Sequence, residues 1–256
     1  MNIYLIIVNQ FLSKKIIISE RIDPNYVKNG LIKFFRDKIY KHSNNFLVVQ
    51  NKDQEGYFKT KISEYKVILI NNPIALKNSF IKISDDLKFL TIGRLEKQKN
   101  QIELIQIFKE LNFNYTLEIL GKGSLETKLK NFVREQELNG KIHFLGVKKD
   151  IERYLSPYSI FVSTSLFEGF PNALIEAMNH KMVCIHYHCK GLEDIIFDGE
   201  NGYLIPMGNQ QLFKKRIEEL KDNKELRIKI GDNANRSIKH LGIDNISRQW
   251  INLIEN

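Results

Sequence analysis

The chain has 256 residues, 43% hydrophobic and 27% charged, with only 14 glycines and 5 prolines. That balance excludes collagen-like and low-complexity disordered classes, and the length suits one large domain or two modest ones. The 39 basic against 30 acidic residues leave a net charge of +9, which suits phosphate groups, nucleic acid or an anionic membrane face without choosing among them.

Two cysteines, Cys184 and Cys189, are too few for a disulfide framework and point to a reducing compartment, by default the cytoplasm. The opening MNIYLIIVNQF lacks the basic region and small-residue cleavage site of a signal peptide. No apolar run approaches the about 18 residues of a membrane span, so neither secretion nor spanning is expected.

In chain order, a short helix is expected at Tyr4–Leu12, then buried strands at Ile16–Ile18, Phe46–Val49 and Val67–Ile70, which are short, apolar and β-branched. Leu31–Tyr40 carries Leu31, Phe34, Phe35 and Ile39 at helical spacing, so this region alternates strand and helix. Asn71 to Asp86 has no long periodic pattern and is the candidate linker.

A cleaner alternation follows: strand Lys88–Ile92, helix Asn100–Leu111, strand Tyr115–Leu120, helix Leu125–Gln136, then strands Ile142–Phe144 and Ile160–Ser163. Helix Pro171–Asn179, strands Met182–Ile185 and Tyr203–Ile205, and helices to the C-terminus complete it. Such alternation implies right-handed βαβ crossovers, a parallel sheet covered on both faces, and ligands beyond the carboxyl ends of the strands.

At that rim the segment GRLEKQKN supplies Arg94 and Lys99, one a planar fork and the other a point charge, a pair able to hold a diphosphate. Taken alone they also fit a solvated turn. SLFEGFPNALIEAM says more, because it runs from a strand into a helix. Pro171 suits the first helical position, and the amides of Asn172, Ala173 and Leu174 then stand at the positive end of the helix dipole, where phosphate binds. Gly169 lets a ligand approach the backbone. Glu168 and Glu176 frame the element, and carboxylates accept paired hydrogen bonds from vicinal hydroxyls; a plain loop carboxylate and a helix ion pair are the alternatives.

The spacing E-G-F-P-N-A-L-I-E resembles the Glu-x7-Glu element of retaining glycosyltransferases of family 4, which have the GT-B fold. ISERIDP, ILINNPI, GRLEKQKN, ILGKGSLE, IHFLGVKKDI, DGENGYLIP and the tail RQWINLIEN extend the resemblance, in order, over nearly the whole chain. It implies an α/β, GT-B-like fold with one complete Rossmann-like parallel-sheet domain and a partial second one: 1–74 on the acceptor side, 75–235 for the nucleotide-sugar, and a helix over 236–256 packing back toward the N-terminal part. Residues 1–70 resemble only the later part of the family's acceptor domain, without its first βαβ units and Gly-rich loop. An open sheet edge able to accept a partner chain is expected there.

The resemblance further implies transfer of a sugar from a nucleotide-sugar, by family prevalence a uridine diphosphate sugar, to a hydroxyl acceptor with retention at the anomeric carbon. Arg94 and Lys99, with Gly93 beside them, would meet the diphosphate. Glu168 and the backbone of Gly169 and Phe170 would meet the donor sugar, Glu176 the ribose, and Gly146–Val147 the nucleobase. Gly121 and Gly123 resemble a structural turn. No cofactor or metal is implied, and the leaving phosphate, rather than a protein base, takes the acceptor proton; the two carboxylates are not a hydrolase pair. ISERIDP resembles the subset that builds bacterial surface glycans, lipopolysaccharide included, on lipid-linked acceptors. That suggests a cytoplasmic protein peripheral on the anionic inner leaflet, with the basic run Lys214 to Lys239 as a candidate contact.

A truncated, catalytically silent nucleotide-sugar-binding chain is the alternative reading. Lys181 stands where the family has a helix-ending glycine, and a non-glycine in a left-handed cap costs about 1 kcal/mol, so a different helix ending is expected. Val183 and Leu192 replace usual prolines and Asp194 a usual glutamate. His186, His188 and Cys189 have poor spacing for a zinc site, Cys184 suits a small core position, and no aromatic-basic motif favours nucleic acid.

Overall fold

A computed structural model of the chain describes residues 2, 6, 16–21, 24, 30–42, 45–62, 66–76, 88–155 and 160–255. Apart from Ile6, the helix expected at Tyr4–Leu12 lies outside these residues, as does the candidate linker beyond Leu76. The chain divides into two compact units, Met1–Pro73 with Glu168–Phe170 and Ile243–Asn256, and Ile74–Phe167 with Pro171–Gly242.

The first unit holds a parallel sheet in the order β1 (Ile17–Ser19), β2 (Phe46–Val49), β3 (Val67–Leu69), with Ile17 opposite Phe46 and Leu47 opposite Val67. Strand alternation splits these apolar residues between two faces. Ile18, Leu47, Val49 and Val67 pack with Tyr40 of helix α1 (Gly30–His42) and Phe58 of helix α2 (Lys52–Lys59). On the other face Val48 and Ile70 pack with Ile246, Leu253 and Trp250 of the C-terminal helix α9 (Ile243–Glu255). α2 starts at Asn51, whose Oδ1 accepts from Gln54 N at 2.8 Å, a side-chain cap for an otherwise orphaned amide.

Apolar residues at helical spacing ordinarily face the core. α1 is reversed: Leu31, Ile32, Phe34 and Phe35 are 52–69% exposed, while Arg36 and Tyr40 are 4% and 2% exposed. Of the spaced apolar set only Ile39 packs inward. The buried polar groups are satisfied, which permits this orientation. Arg36 Nη2 donates to Asp37 Oδ1 at 2.8 Å and to Tyr57 Oη at 3.3 Å, Tyr57 Oη donates to Asp37 Oδ2 at 2.7 Å, and Tyr40 Oη donates to Glu20.

The second unit is a six-stranded parallel sheet built from β4 (Lys88–Ile92), β5 (Thr116–Leu120), β6 (Ile142–Gly146), β7 (Ile160–Ser163), β8 (Val183–Tyr187) and β9 (Tyr203–Ile205), in the order β6-β5-β4-β7-β8-β9. Counted from β4 this is the doubly wound order 3-2-1-4-5-6, whose direction reverses between β4 and β7. Helices α3 (Gln101–Lys109), α4 (Glu126–Glu135), α5 (Glu152–Leu155), α6 (Asn172–Asn179), α7 (Gln210–Asp222) and α8 (Lys224–Ser237) accompany it. Every residue of β7 and β8 is buried, as a central parallel strand requires. Phe108 meets Phe89 and Tyr115 edge-to-face, at centroid distances of 4.9 and 5.2 Å. Each such ring pair adds about 0.5–1.5 kcal/mol to area burial.

The turn after α6 corrects the expectation of a different helix ending. Lys181 itself takes the left-handed conformation, with φ 57°. Met182 N bonds to Ala177 O at 3.1 Å and Lys181 N to Met178 O at 3.0 Å, so the turn keeps the six-to-one and five-to-two bonds of a glycine-ended helix. Lys181 Nζ pairs with Asp232 Oδ1 at 2.9 Å. α8 approaches so closely that a Cβ on Gly231 would lie 2.1 Å from Lys181 O.

Candidate functional site

Beyond the carboxyl ends of β4 and β7, at the reversal of strand order, lie the two segments singled out by chemistry. β4 leads into Gly93–Lys99. Its backbone is laced to the turn after β5, Gly93 N bonding to Leu120 O at 2.9 Å and Leu95 N to Lys122 O at 3.0 Å, and that turn is tied in its own right to the end of β6 by Gly121 N to Gly146 O at 2.9 Å. Gly121 has φ 143°, and a Cβ there would sit 1.9 Å from Gly93 O; one on Gly123 would sit 2.3 Å from Leu95 O. These glycines let the β5 turn touch the backbone on either side of Arg94.

Arg94 is exposed, and its Nη2 donates to Gln98 Oε1 at 3.1 Å. The Lys99 stem passes over Gly93, where an added Cβ would lie 3.0 Å from Lys99 Cε. Glu96 accepts from Ser124 N and Ser124 Oγ, both at 2.8 Å, and these bonds hold its carboxyl below the usual range.

The loop after β7 is fastened to the same turn. Leu166 N bonds to Gln98 O at 2.8 Å, Gln98 Nε2 donates to Phe167 O at 2.8 Å, and Thr164 Oγ1 donates to Asn100 O at 2.9 Å. Asn100, with φ 50°, is the residue at which the short turn Lys97–Lys99 gives way to α3. Gln98 and Thr164 thus set the spacing between the Arg94 loop and the β7 loop. Neither residue stands out in sequence, because a neutral amide and a hydroxyl carry no diagnostic chemistry; position between Arg94 and Lys99 was the one available signal for Gln98.

Glu168 and Phe170 are buried, and Glu168–Phe170 belong to the first unit. There Asn51 Nδ2 donates to Gly169 O at 2.6 Å. Pro171, expected as the first helical residue, is instead the cap of α6, with φ −85°, and the helix begins one position later, at Asn172. The first bond of the helix runs from Ile175 N to Pro171 O at 3.0 Å. The amides of Asn172, Ala173 and Leu174 precede it, at the positive end of the dipole.

Glu176 lies on α6 and is half-buried. Burial, reinforced by the charge of Glu152, pushes its carboxyl above the usual range. Glu152, on α5 and 24 positions away in sequence, was not anticipated. Gly146 ends β6 and Val147 beyond it is exposed.

His186, His188 and Cys189 do not converge. Buried His186 has Nδ1 at 2.6 Å from Tyr187 O, His188 Nε2 lies 3.5 Å from Glu193, and Cys189 Sγ donates to Ser165 O at 2.9 Å. Among the described residues no group of three or more His, Cys, Asp or Glu is arranged to hold a metal. Cys184 is buried, which raises its thiol pKa beyond the reach of ordinary conditions. The basic run Lys214 to Lys239 is not wholly a surface. Arg227 is buried, with Nη1 donating to Leu220 O and, at 2.9 Å, to Lys221 O, and Arg216 stacks 4.7 Å from the Tyr203 ring while pairing with Glu219.

Over residues 75–237 the sequence matches the model of glycosyl transferases group 1. The chain belongs to that family. It is 26% identical over 252 residues to a Campylobacter jejuni GalNAc-alpha-(1->4)-GalNAc-alpha-(1->3)-diNAcBac-PP-undecaprenol alpha-1,4-N-acetyl-D-galactosaminyltransferase, covering 95% of this chain and 68% of that protein. The fold matches Anabaena Alr3699/HepE in complex with UDP, with TM-score 0.89 and 14% identity, over 99% of this chain and 75% of that one. It also matches Staphylococcus aureus TarM, solved with Fondaparinux, alpha-GlcNAc-glycerol and UDP, with TM-score 0.82 and 23% identity, over 93% of this chain and 49% of that one. The group 1 chain therefore has an α/β fold with parallel sheets of the GT-B kind, and spans half to three quarters of the length of these three proteins. Among the described residues no helix is long and apolar enough to cross a membrane.

Proposed function

We propose that this chain is a retaining glycosyltransferase of family 4 that moves a hexosyl or N-acetylhexosaminyl group from a uridine diphosphate sugar to a hydroxyl of a lipid-linked or surface-glycan acceptor. The observation that carries the proposal is the meeting, at one reversal of strand order, of the Arg94–Lys99 turn and the β7 loop that leads to α6, tied through Gln98 and Thr164. The UDP-bound neighbours and the undecaprenol-linked relative support the choice of donor and acceptor class.

In this reading Arg94 and Lys99 face the diphosphate beside Gly93, and the amides of Asn172, Ala173 and Leu174 add donors. Together they stabilise the charge that grows on the β-phosphate as the sugar–oxygen bond breaks, without a metal ion or cofactor. Glu168, with the backbone of Gly169 and Phe170, holds sugar hydroxyls, Glu176 holds the ribose diol, and Val147 borders the base. The acceptor oxygen attacks the anomeric carbon on the face the phosphate leaves, and its proton passes to the departing phosphate. The chain works in the cytoplasm.

The test is a thermal-shift series with UDP, UDP-glucose, UDP-galactose and their N-acetylated counterparts, followed by transfer to undecaprenyl-diphosphate-linked acceptors. Stabilisation by at least one UDP-sugar and its transfer are expected. Binding without transfer would leave nucleotide-sugar binding as the function, and absence of any shift would remove the proposal.

A further inference from the structure

The reversed helix α1 presents an apolar, cation-bordered face to solvent. At about 100° per residue, Leu31, Phe34, Phe35 and Lys38 share one side of the helix, with Ile32 and Lys41 at its borders. Exposure agrees: Leu31 69%, Phe34 61%, Phe35 55%, with Lys38 and Lys41 also exposed. This side is opposite the one bearing Arg36 and Tyr40, which packs into the first unit's core. Large exposed apolar clusters mark interaction surfaces.

Charge says what the surface fits. Asp37, the acid of α1, is committed to Arg36 and Tyr57, so among the described residues of α1 no carboxylate is left on the outward side. Lys33 lies on the other side of the helix, its Nζ over the Tyr57 ring at 5.0 Å from the centroid, so the cations that border the outward face are Lys38 and Lys41. A nucleic acid duplex would use the lysines and leave the phenylalanines in water, and a single strand stacking on the rings would leave Leu31 and Ile32 in water. A second copy packed symmetrically on this face would bring like lysines together. An anionic lipid interface uses both, with apolar side chains at the headgroup–acyl boundary and lysines at lipid phosphates.

We infer that α1 docks this chain on an anionic lipid surface, with Phe34 and Phe35 entering the boundary and Lys38 and Lys41 meeting the phosphates. The inference rests on α1 alone and stands apart from the donor reading, although a lipid-linked acceptor would give the docking a purpose.

The experiment is sedimentation of the full chain with phosphatidylcholine vesicles, with and without phosphatidylglycerol. Binding is expected only with phosphatidylglycerol and should weaken with salt. Lys38→Glu with Lys41→Glu should lower the partition coefficient at least tenfold, since each lysine near an anionic surface accounts for about fivefold. Phe34→Ser with Phe35→Ser should also lower it at least tenfold. All four side chains are exposed, so melting temperatures and UDP-sugar shifts should stay unchanged, which separates failure here from failure of the donor reading. Unaltered vesicle binding in both double variants would overturn the inference. So would a concentration-dependent dimer that Phe34→Ser disperses, which would assign the face to a second copy.

Discussion

Glu176 occupies a position that disfavours its charge. Its carboxyl is raised by burial and by Glu152, so in the folded chain it binds its proton more tightly than when unfolded. A raised carboxyl contributes stability below its unfolded pKa and loses it as pH rises through the folded value, so at neutral pH the charged side chain lowers stability. Glu176→Gln is therefore expected to raise the melting temperature of the ligand-free protein at pH 7.5, with the gain shrinking as the buffer is acidified toward pH 4. The same change should remove most of the UDP-sugar shift, because an amide accepts less strongly from a ribose diol than a carboxylate does. Fluorimetry over pH, with and without donor, measures both; a variant less stable than wild type, or equally shifted, contradicts the account. Gly121 is the backbone counterpart. Alanine at φ 143°, with its Cβ 1.9 Å from Gly93 O, should cost about 2–5 kcal/mol in urea unfolding, combining conformational strain with overpacking. It should weaken donor binding as well, because Gly93 precedes Arg94.

At the scale of elements, the β4 and β7 loops act together because Gln98 bonds to both. Its amide accepts from Arg94 and donates to Phe167 O, each bond contributing about 0.5–1.5 kcal/mol net. Gln98→Ala should cost about 1–2 kcal/mol of stability and weaken UDP binding about tenfold by calorimetry, whereas loss of stability with unchanged affinity would make the residue purely structural. Much of this architecture was legible beforehand. Phe46–Val49, Ile160–Ser163 and Tyr203–Ile205 are short β-branched or aromatic runs bounded by polar or turn residues, and Arg94, Lys99 and Glu176 are common charged types that spacing alone singles out. What was not legible depends on the third dimension. Spacing in α1 could not show that an Arg36–Asp37–Tyr57 network would draw the polar side inward. Lys181 could not show that Asp232 and Gly231 would fix it in a glycine's conformation, and α2 is a short, polar helix whose clearest signal is its Asn51 cap.

For the whole molecule, the second unit has its own core, from Phe89 and Phe108 through Ile185 to Phe213, and the family match falls almost wholly on it. A fragment spanning 74–242 should therefore fold cooperatively, and its Arg94, Lys99 and α6 amides should still stabilise it against heat in the presence of UDP. The sugar half of the donor is a different matter. Glu168–Phe170 belong to the first unit, and Gly169 O accepts from Asn51, which the fragment lacks. In the full chain, a UDP-sugar should raise the melting temperature more than UDP does. In the fragment, UDP and UDP-sugar should give equal shifts, because the segment that carries Glu168 has lost its support. Parallel titrations of the two chains decide it. A fragment that still favours the UDP-sugar would mean that sugar recognition is complete within the second unit and that Asn51 does not hold the Glu168 segment in its binding form.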